Sequence, residues 1–202
     1  MELSDTVRRR RMVRNYTAEP VAGEVLERIL ETARHTPSAG FTQGQSLVVV
    51  TDATLRAQIA ELCGEAEYVA MGFDPWISRA PVHVVVCTSA AAYLERYREP
   101  DKGGPGSPLG SAENWPVPYW WVDAGATMML LLLAAVDEGL GAGFIGSHAL
   151  PELSDLLGIP RQVSPIGIVT IGHPAPDRRS GSLARGWRPA DQVIHRQRWA
   201  AG

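Results

Sequence analysis

The run AGATMMLLLLAAV, from Ala124 to Val136, limits the fold more than any other stretch. Apolar residues fill nearly every position rather than one stripe, so a helix built from it has no face suited to water. Asp123 and Asp137 bracket the run, and it is well short of the roughly 20 apolar residues that a membrane span needs. A buried central helix is therefore expected, entered through YWWVDAG and closed by DEG. Part of its surface is expected to lie against another subunit.

Around that helix the pattern changes period repeatedly. SLVVVT (46–51), VHVVVC (82–87) and IGIVTIG (166–172) are compact β-branched runs and predict strands. Helices are expected over residues 2–9, in EVLERILETAR ending before Pro37, in ATLRAQIAELCG stopping near Gly64, in AAAYLERYRE and in PELSDLLGI. The resulting order does not repeat a βαβ unit, and no G-x-G-x-x-G follows the first strand, which argues against a doubly wound nucleotide fold. A layered α+β fold is expected, as a single domain over residues 1–202. The Pro/Gly/Ser-rich stretch at about 100–118 is too long for an ordinary connection and predicts a functional loop or lid.

Charge narrows the partners. RRRRMVR (8–14) is strongly basic, yet the chain holds 19 Lys and Arg against 22 Asp and Glu, a net charge of −3. A nucleic-acid footprint would need a wide basic surface, so none is expected. A solvated turn and a site for one small anion, such as a phosphate, both fit the cluster. In an extended chain Arg10, Met12 and Arg14 project to one side, and in a helix Arg10 and Arg14 meet at i, i+4; either way a two-pronged anion site results. Cys63 and Cys87 are far apart, and His35, His83, His148, His173 and His195 form no ligand spacing, so no structural metal is expected. No apolar segment follows the first arginines, and a cytoplasmic protein with no membrane span is the expectation.

Four stretches, in order, carry a resemblance. RRMVRNY is similar to R-R-S-x-R-x-F, TPSAGFTQGQ to A-P-S-x-x-N-x-Q-P-W, DEGLGAGFIGS to G-L-G-x-x-x-x-G-G, and WRPADQVIH to R-R-P-x-x-x-x-V-H. Together they resemble the FMN-dependent nitroreductases over nearly the whole chain. Met12 stands where that family often has Ser and Phe41 where it usually has Asn, while Gly44 and Gln45 replace Pro-Trp.

The resemblance implies a nitroreductase-like α+β fold: a central mixed or antiparallel sheet flanked by helices, with the long buried helix at a homodimer interface. It implies bound FMN, NAD(P)H as co-substrate and a small organic electron acceptor, such as a nitroaromatic or quinone, in a ping-pong reaction. Arg10 and Arg14 would hold the flavin phosphate, with Arg185 and Arg188 from the tail, while Met12 would line the cofactor without the ribityl or phosphate contact that a Ser makes there. Arg14 would also stabilise the reduced flavin. Pro37, Ser38, Ala39 and Gln43 would reach the flavin from the partner subunit, with Phe41 packing at the substrate side. Phe144 would cover the ring, flanked by Ile145 and Ser147, and the backbone N–H of Gly146 would face flavin N5. In the 100–118 loop, Trp115 would stack on the substrate and Lys102 would meet a substrate carboxylate. The aromatic cluster also suits a core or a dimer contact, and the lysine an exposed loop. The family's relatives include reductive dehalogenases and flavin-degrading enzymes, and the departures at Met12 and Phe41 leave a flavin-binding or storage protein with little turnover as an alternative.

Overall fold

A computed structural model of the chain describes residues 1–146 and 150–199. Among these, β1 (Gln45–Val50), β2 (Val82–Thr88), β3 (Gly141–Ile145) and β4 (Ser164–Gly172) form one antiparallel sheet in the order β1-β2-β4-β3. The helices are α1 (Leu3–Arg9), α2 (Gly23–Arg34), α3 (Ala53–Leu62), α4 (Glu65–Ala70), α5 (Trp76–Arg79), α6 (Ala90–Arg96), α7 (Tyr119–Asp137) and α8 (Leu150–Leu157).

Every residue of β2 is buried, as its unbroken apolar run requires. Alternation along the strand divides its side chains between two cores. Val82, Val84 and Val86 meet Ile29 of α2 and Leu131 and Leu132 of α7 on one face; Val85 and Cys87 meet Ile59 of α3, Ile77 of α5 and Leu153 of α8 on the other. The sheet is thus sandwiched between helical layers. Helix α7 has the length and composition of a membrane span, but Ala124, Leu131, Leu132 and Ala135 are fully buried in the first core. Trp121, Val122 and Met129, on its remaining surface, are 45%, 50% and 40% exposed.

Strand β3 and helices α4 and α5 were not legible in the sequence. The glycines of GAGFI mask the strand pattern, and their use is tertiary. A Cβ on Gly143 would come within 2.6 Å of the Val13 carbonyl oxygen, and one on Gly141 within 2.8 Å of the Val13 side chain. Glycine therefore lets the segment after α1 lie directly on β3, where Met12 forms a parallel bridge to Ala142 and the Val13 N–H donates to the Ala142 carbonyl at 3.0 Å. The four-residue α5 is likewise secured from a distance: one carboxylate oxygen of Glu65 accepts from the amides of Ile77 and Ser78, at 2.6 and 2.9 Å. Helix α3, by contrast, is capped locally, by Asp52 accepting from the Leu55 amide at 2.9 Å.

His83 on β2 has no exposed surface; Nε2 donates to the Ile77 carbonyl at 2.7 Å and Nδ1 has no partner. Burial pushes its pKa down from 6.5 to about 4, against the effect of the Ile77 bond. The unfolded chain therefore binds a proton that the folded chain refuses between these values. Stability from the neutral ring is complete above pH 6.5 and is lost as pH falls toward 4. Urea unfolding should show a loss of about 2 kcal/mol between pH 7 and pH 5 from this residue. In His83→Gln, which keeps a donor for Ile77, that share of the pH dependence should disappear; an unchanged slope would place the acid sensitivity elsewhere.

Candidate functional site

After α1 the chain runs extended along the edge of β3 and carries its arginines into a cavity of about 480 Å³. Six of the lining residues are arginine: Arg8 and Arg9 from the end of α1, Arg10, Arg11 and Arg14 from this arm, and Arg179 from the tail. Met12, Leu183 and Trp187 supply apolar wall. The arginines are not equivalent. Arg8 is paired with Asp5, and Arg11 with Asp177, whose side chain is only 5% exposed. The guanidinium groups of Arg10 and Arg14 have no ion pair or hydrogen bond to protein among the described residues; Arg14 instead lies 6.0 Å over the ring of Phe73. Two half-buried cations without a protein partner among the described residues share one cavity of small-molecule size, and each retains its full set of forked donors for an anion.

Asp177 sets this arrangement. One carboxylate oxygen neutralises Arg11, while the other accepts from the Arg14 backbone amide at 2.8 Å and so pins the arm beside its partner-free guanidinium. Nearby, Asn15 Nδ2 donates to the Pro176 carbonyl at 2.9 Å, and the Thr17 amide to the His173 carbonyl at 2.9 Å. Nothing in the residue pattern singles out Asp177 or Arg179; they reach the arm from more than half the chain away through β4.

A second cluster lies in the loop between α2 and β1. Ser38 Oγ accepts from the Gln43 amide at 2.8 Å, and Thr42 Oγ1 donates to the Ala39 carbonyl at 2.6 Å. Gly40, Phe41 and Gln43 all adopt left-handed backbone conformations, with φ of 64°, 56° and 53°. For the two non-glycine residues this costs about 1–3 kcal/mol each, so contacts outside the loop must hold it. Phe41 is 74% exposed. Pro37 is exposed, Ser38 and Ala39 are half-buried, and Gln43 borders a cavity of about 450 Å³ with Gln45, Leu47 and Thr127. This cavity and the arginine cavity share no lining residue.

The arrangement has known counterparts. The sequence profile of the nitroreductase family matches residues 7–173. The chain belongs to the nitroreductase family. It is 33% identical over 195 residues to the FMN reductase [NAD(P)H] of Bacillus subtilis, spanning 93% of this chain and 70% of that protein. It is 29% identical over 195 residues to the oxygen-insensitive NADPH nitroreductase of Salmonella typhimurium, spanning 94% and 71%. The solved structure of B. megaterium NfrA2 superposes with a TM-score of 0.78 at 25% identity, over 99% of this chain and 76% of that one.

Within this nitroreductase chain the other expected site residues are distributed as follows. Gly146, at the end of β3, is exposed, and a Cβ there would meet only the Phe144 ring, at 3.8 Å. Phe144 is half-buried against Gly167, whereas Ile145 faces the opposite core and is 6% exposed, leaving only its backbone for a ligand. Ser147 lies outside the described residues. Arg185 and Arg188 do not line the arginine cavity. The short turn Gly181–Arg185 directs Ser180, Leu183 and Trp187 there instead, and Arg188 donates to the Gln192 carbonyl at 2.8 Å.

The expectation for Trp115 needs correction. It is 8% exposed and packed edge-on against Tyr97 at 4.7 Å and Trp120 at 5.6 Å, with Nε1 donating to the Leu109 carbonyl at 2.8 Å. Its aromatic area is spent on the protein, so it anchors the 100–118 loop rather than stacking on a substrate. That loop is made of turns at Pro100–Lys102, Pro108–Gly110 and Ala112–Asn114, tied down by Asn114 Nδ2 donating to Pro108 at 2.9 Å and by Arg98 donating to Gly110. Lys102 lies 5.8 Å over the Tyr97 ring and lines neither the arginine cavity nor the one beside Gln43.

Proposed function

We propose that this chain is an FMN-dependent oxidoreductase that carries electrons from NAD(P)H to a small organic acceptor such as a nitroaromatic or quinone, as a cytoplasmic homodimer. The observation that carries this reading is the pair of unpaired guanidiniums, Arg10 and Arg14, in a cavity of small-molecule size. They fit a phosphate dianion, to which each donates forked, charge-assisted hydrogen bonds. The names of the relatives, FMN reductase and NADPH nitroreductase, support the same cofactor and electron donor.

Bound FMN supplies the two-electron chemistry, taking electrons from NAD(P)H and passing them to the acceptor. Arg14 acts as a fixed positive charge that stabilises negative charge accumulating on the cofactor without moving a proton. Its place over Phe73 limits its freedom, which lowers the reorganisation it must undergo. The Ser38 hydroxyl still has a proton to donate after accepting from Gln43, and the Gln43 side chain has no partner among the described residues. In this reading both meet the flavin of a second subunit. That accounts for two half-sites with no shared lining. A second copy would also cover the exposed apolar residues Trp121, Val122 and Met129 on α7 and Val193, Ile194 and Trp199 of the tail. Sedimentation at micromolar concentration should give a dimer, and a stable monomeric holoprotein would remove the two-subunit site.

Arg10→Ala and Arg14→Ala should weaken FMN roughly ten- to a hundredfold while affecting riboflavin much less, since loss of one charged hydrogen bond costs about 1.5–3 kcal/mol. Fluorescence titration of both flavins measures this. Equal losses would mean that the arginines serve the fold instead. The redox assignment itself is tested anaerobically: NADH or NADPH should bleach the yellow protein, and a nitroaromatic or quinone should restore the colour. Donor and acceptor use one site in turn, so double-reciprocal plots should be parallel. Intersecting lines would sink the shared-site, ping-pong mechanism, and a flavin that NAD(P)H does not bleach would favour a flavin-storing protein.

A further inference from the structure

The strained 38–43 loop is held from behind by a buried polar chain. Asp123, in the second turn of α7, is 8% exposed, and its Oδ2 accepts two hydrogen bonds: from the Ala39 amide at 2.9 Å and from the Tyr93 hydroxyl at 2.7 Å. Tyr93 of α6 has no exposed surface, and its oxygen accepts in turn from Gln45 Nε2 at 2.7 Å. The chain therefore spans both ends of the loop, with the amide of Ala39 at one and the side chain of Gln45 at the other. Space is matched as well: a Cβ on Gly44 would come within 2.6 Å of the Tyr93 ring, and one on Gly40 within 2.9 Å of Tyr97.

We propose that Asp123 and Tyr93 are a positioning pair that sets the backbone of the 38–43 loop and thereby orients Ser38 and Gln43 toward the flavin ring. The proposal rests on the FMN reading above and extends it to residues that do not themselves touch the cofactor. A carboxylate in an otherwise apolar helix is costly to bury unless its bonds are made. Here the accepting oxygen makes both of its bonds to elements that shape one loop. Tyr93 stays protonated over the working pH range, because burial and the neighbouring carboxylate both raise its pKa, so its donor to Asp123 is permanent. The loop has a second, independent tether, Arg96 Nε to the Gly40 carbonyl at 2.9 Å, and Arg96 is in turn held by both oxygens of Asp101 at 2.7 Å. Loss of Asp123 therefore frees the Ser38–Ala39 side of the loop while Gly40 stays held.

The test is flavin binding and visible circular dichroism of the full-length holoprotein in Asp123→Ala, Asp123→Asn and Tyr93→Phe, with Leu131→Ala as a core control on the same helix. Asp123→Ala should weaken FMN and riboflavin by the same factor, about tenfold, because the loop addresses the ring and not the phosphate. It should also alter the visible dichroism of the bound flavin. Asp123→Asn, whose amide oxygen can accept both bonds, should restore binding to within about threefold of wild type. Tyr93→Phe keeps the packed ring and loses only the hydroxyl's two bonds, to Asp123 and from Gln45, so it should reproduce the spectral change even if Asp123→Ala does not fold. Leu131→Ala should lower the melting temperature without changing either readout. Wild-type binding and dichroism in Tyr93→Phe, or the same spectral change in Leu131→Ala, would overturn the pair's positioning role while leaving the FMN reading intact. A wild-type protein that binds no flavin would overturn both.

Discussion

The structure depends on the packing of α7 against the central strands. An apolar helix without a polar face must be enclosed, and β2 and β4 turn apolar residues toward it, so each supplies the surface the other needs. Leu131, Leu132 and Ala135 meet the alternate valines of β2 on one face, and α2 closes the layer through Ile29. Burial of each such leucine or isoleucine is worth about 1.5–3 kcal/mol, far more than any surface ion pair in the chain. Once this layer is set, the N-terminal end of α7 stands behind the 38–43 loop, and β3 continues directly from its C-terminal end. Both parts of the candidate site are thus positioned by one helix.

The arginine arm shows how a basic run becomes a site. Six arginines around one cavity repel one another unless some are neutralised. Asp5 and Asp177 take Arg8 and Arg11; of the four without an ion pair among the described residues, Arg9 and Arg179 are exposed and Arg10 and Arg14 are half-buried. The seat is made by glycine. At Gly143 any side chain would collide with the Val13 carbonyl, and the arm would be lifted from the sheet edge. The glycine-rich segment therefore serves the arm's approach to β3 within the chain, in addition to whatever its exposed end at Gly146 offers a ligand.

The 100–118 segment follows the opposite logic. Its composition suggests mobility, yet Trp115 lies within a cluster formed by Tyr93, Tyr97 and Trp120, and each successive turn is tied back. Tyr93 belongs both to this cluster and to the hydrogen-bonded chain that reaches Ala39. Arg96 likewise joins Asp101 of the segment to the Gly40 carbonyl. The long connection thus buttresses the 38–43 loop from behind, and its aromatic content is structural.

By itself the sequence determined what periodicity and composition can encode. The three β-branched strands, the amphipathic α2 and the all-round apolar α7 follow from local patterns of hydrophobicity, and the layered α+β class follows from their order. The net charge of −3 set the arginine cluster apart from a wide basic surface and left a small anion or solvent as its partner. Only the tertiary structure decided which arginines stay free, since Asp177 comes from beyond β4. It alone decided that GAGFI is a strand, because its glycines answer to Val13 and not to local propensity. It also decided that Trp115 is an anchor and that Asp123, in sequence merely the polar edge of an apolar run, is buried and bonded to a loop far along the chain. The physical reason is common to these cases: hydrogen bonds, charge pairing and steric approach depend on partners that folding brings together, whereas periodicity is written in adjacent residues.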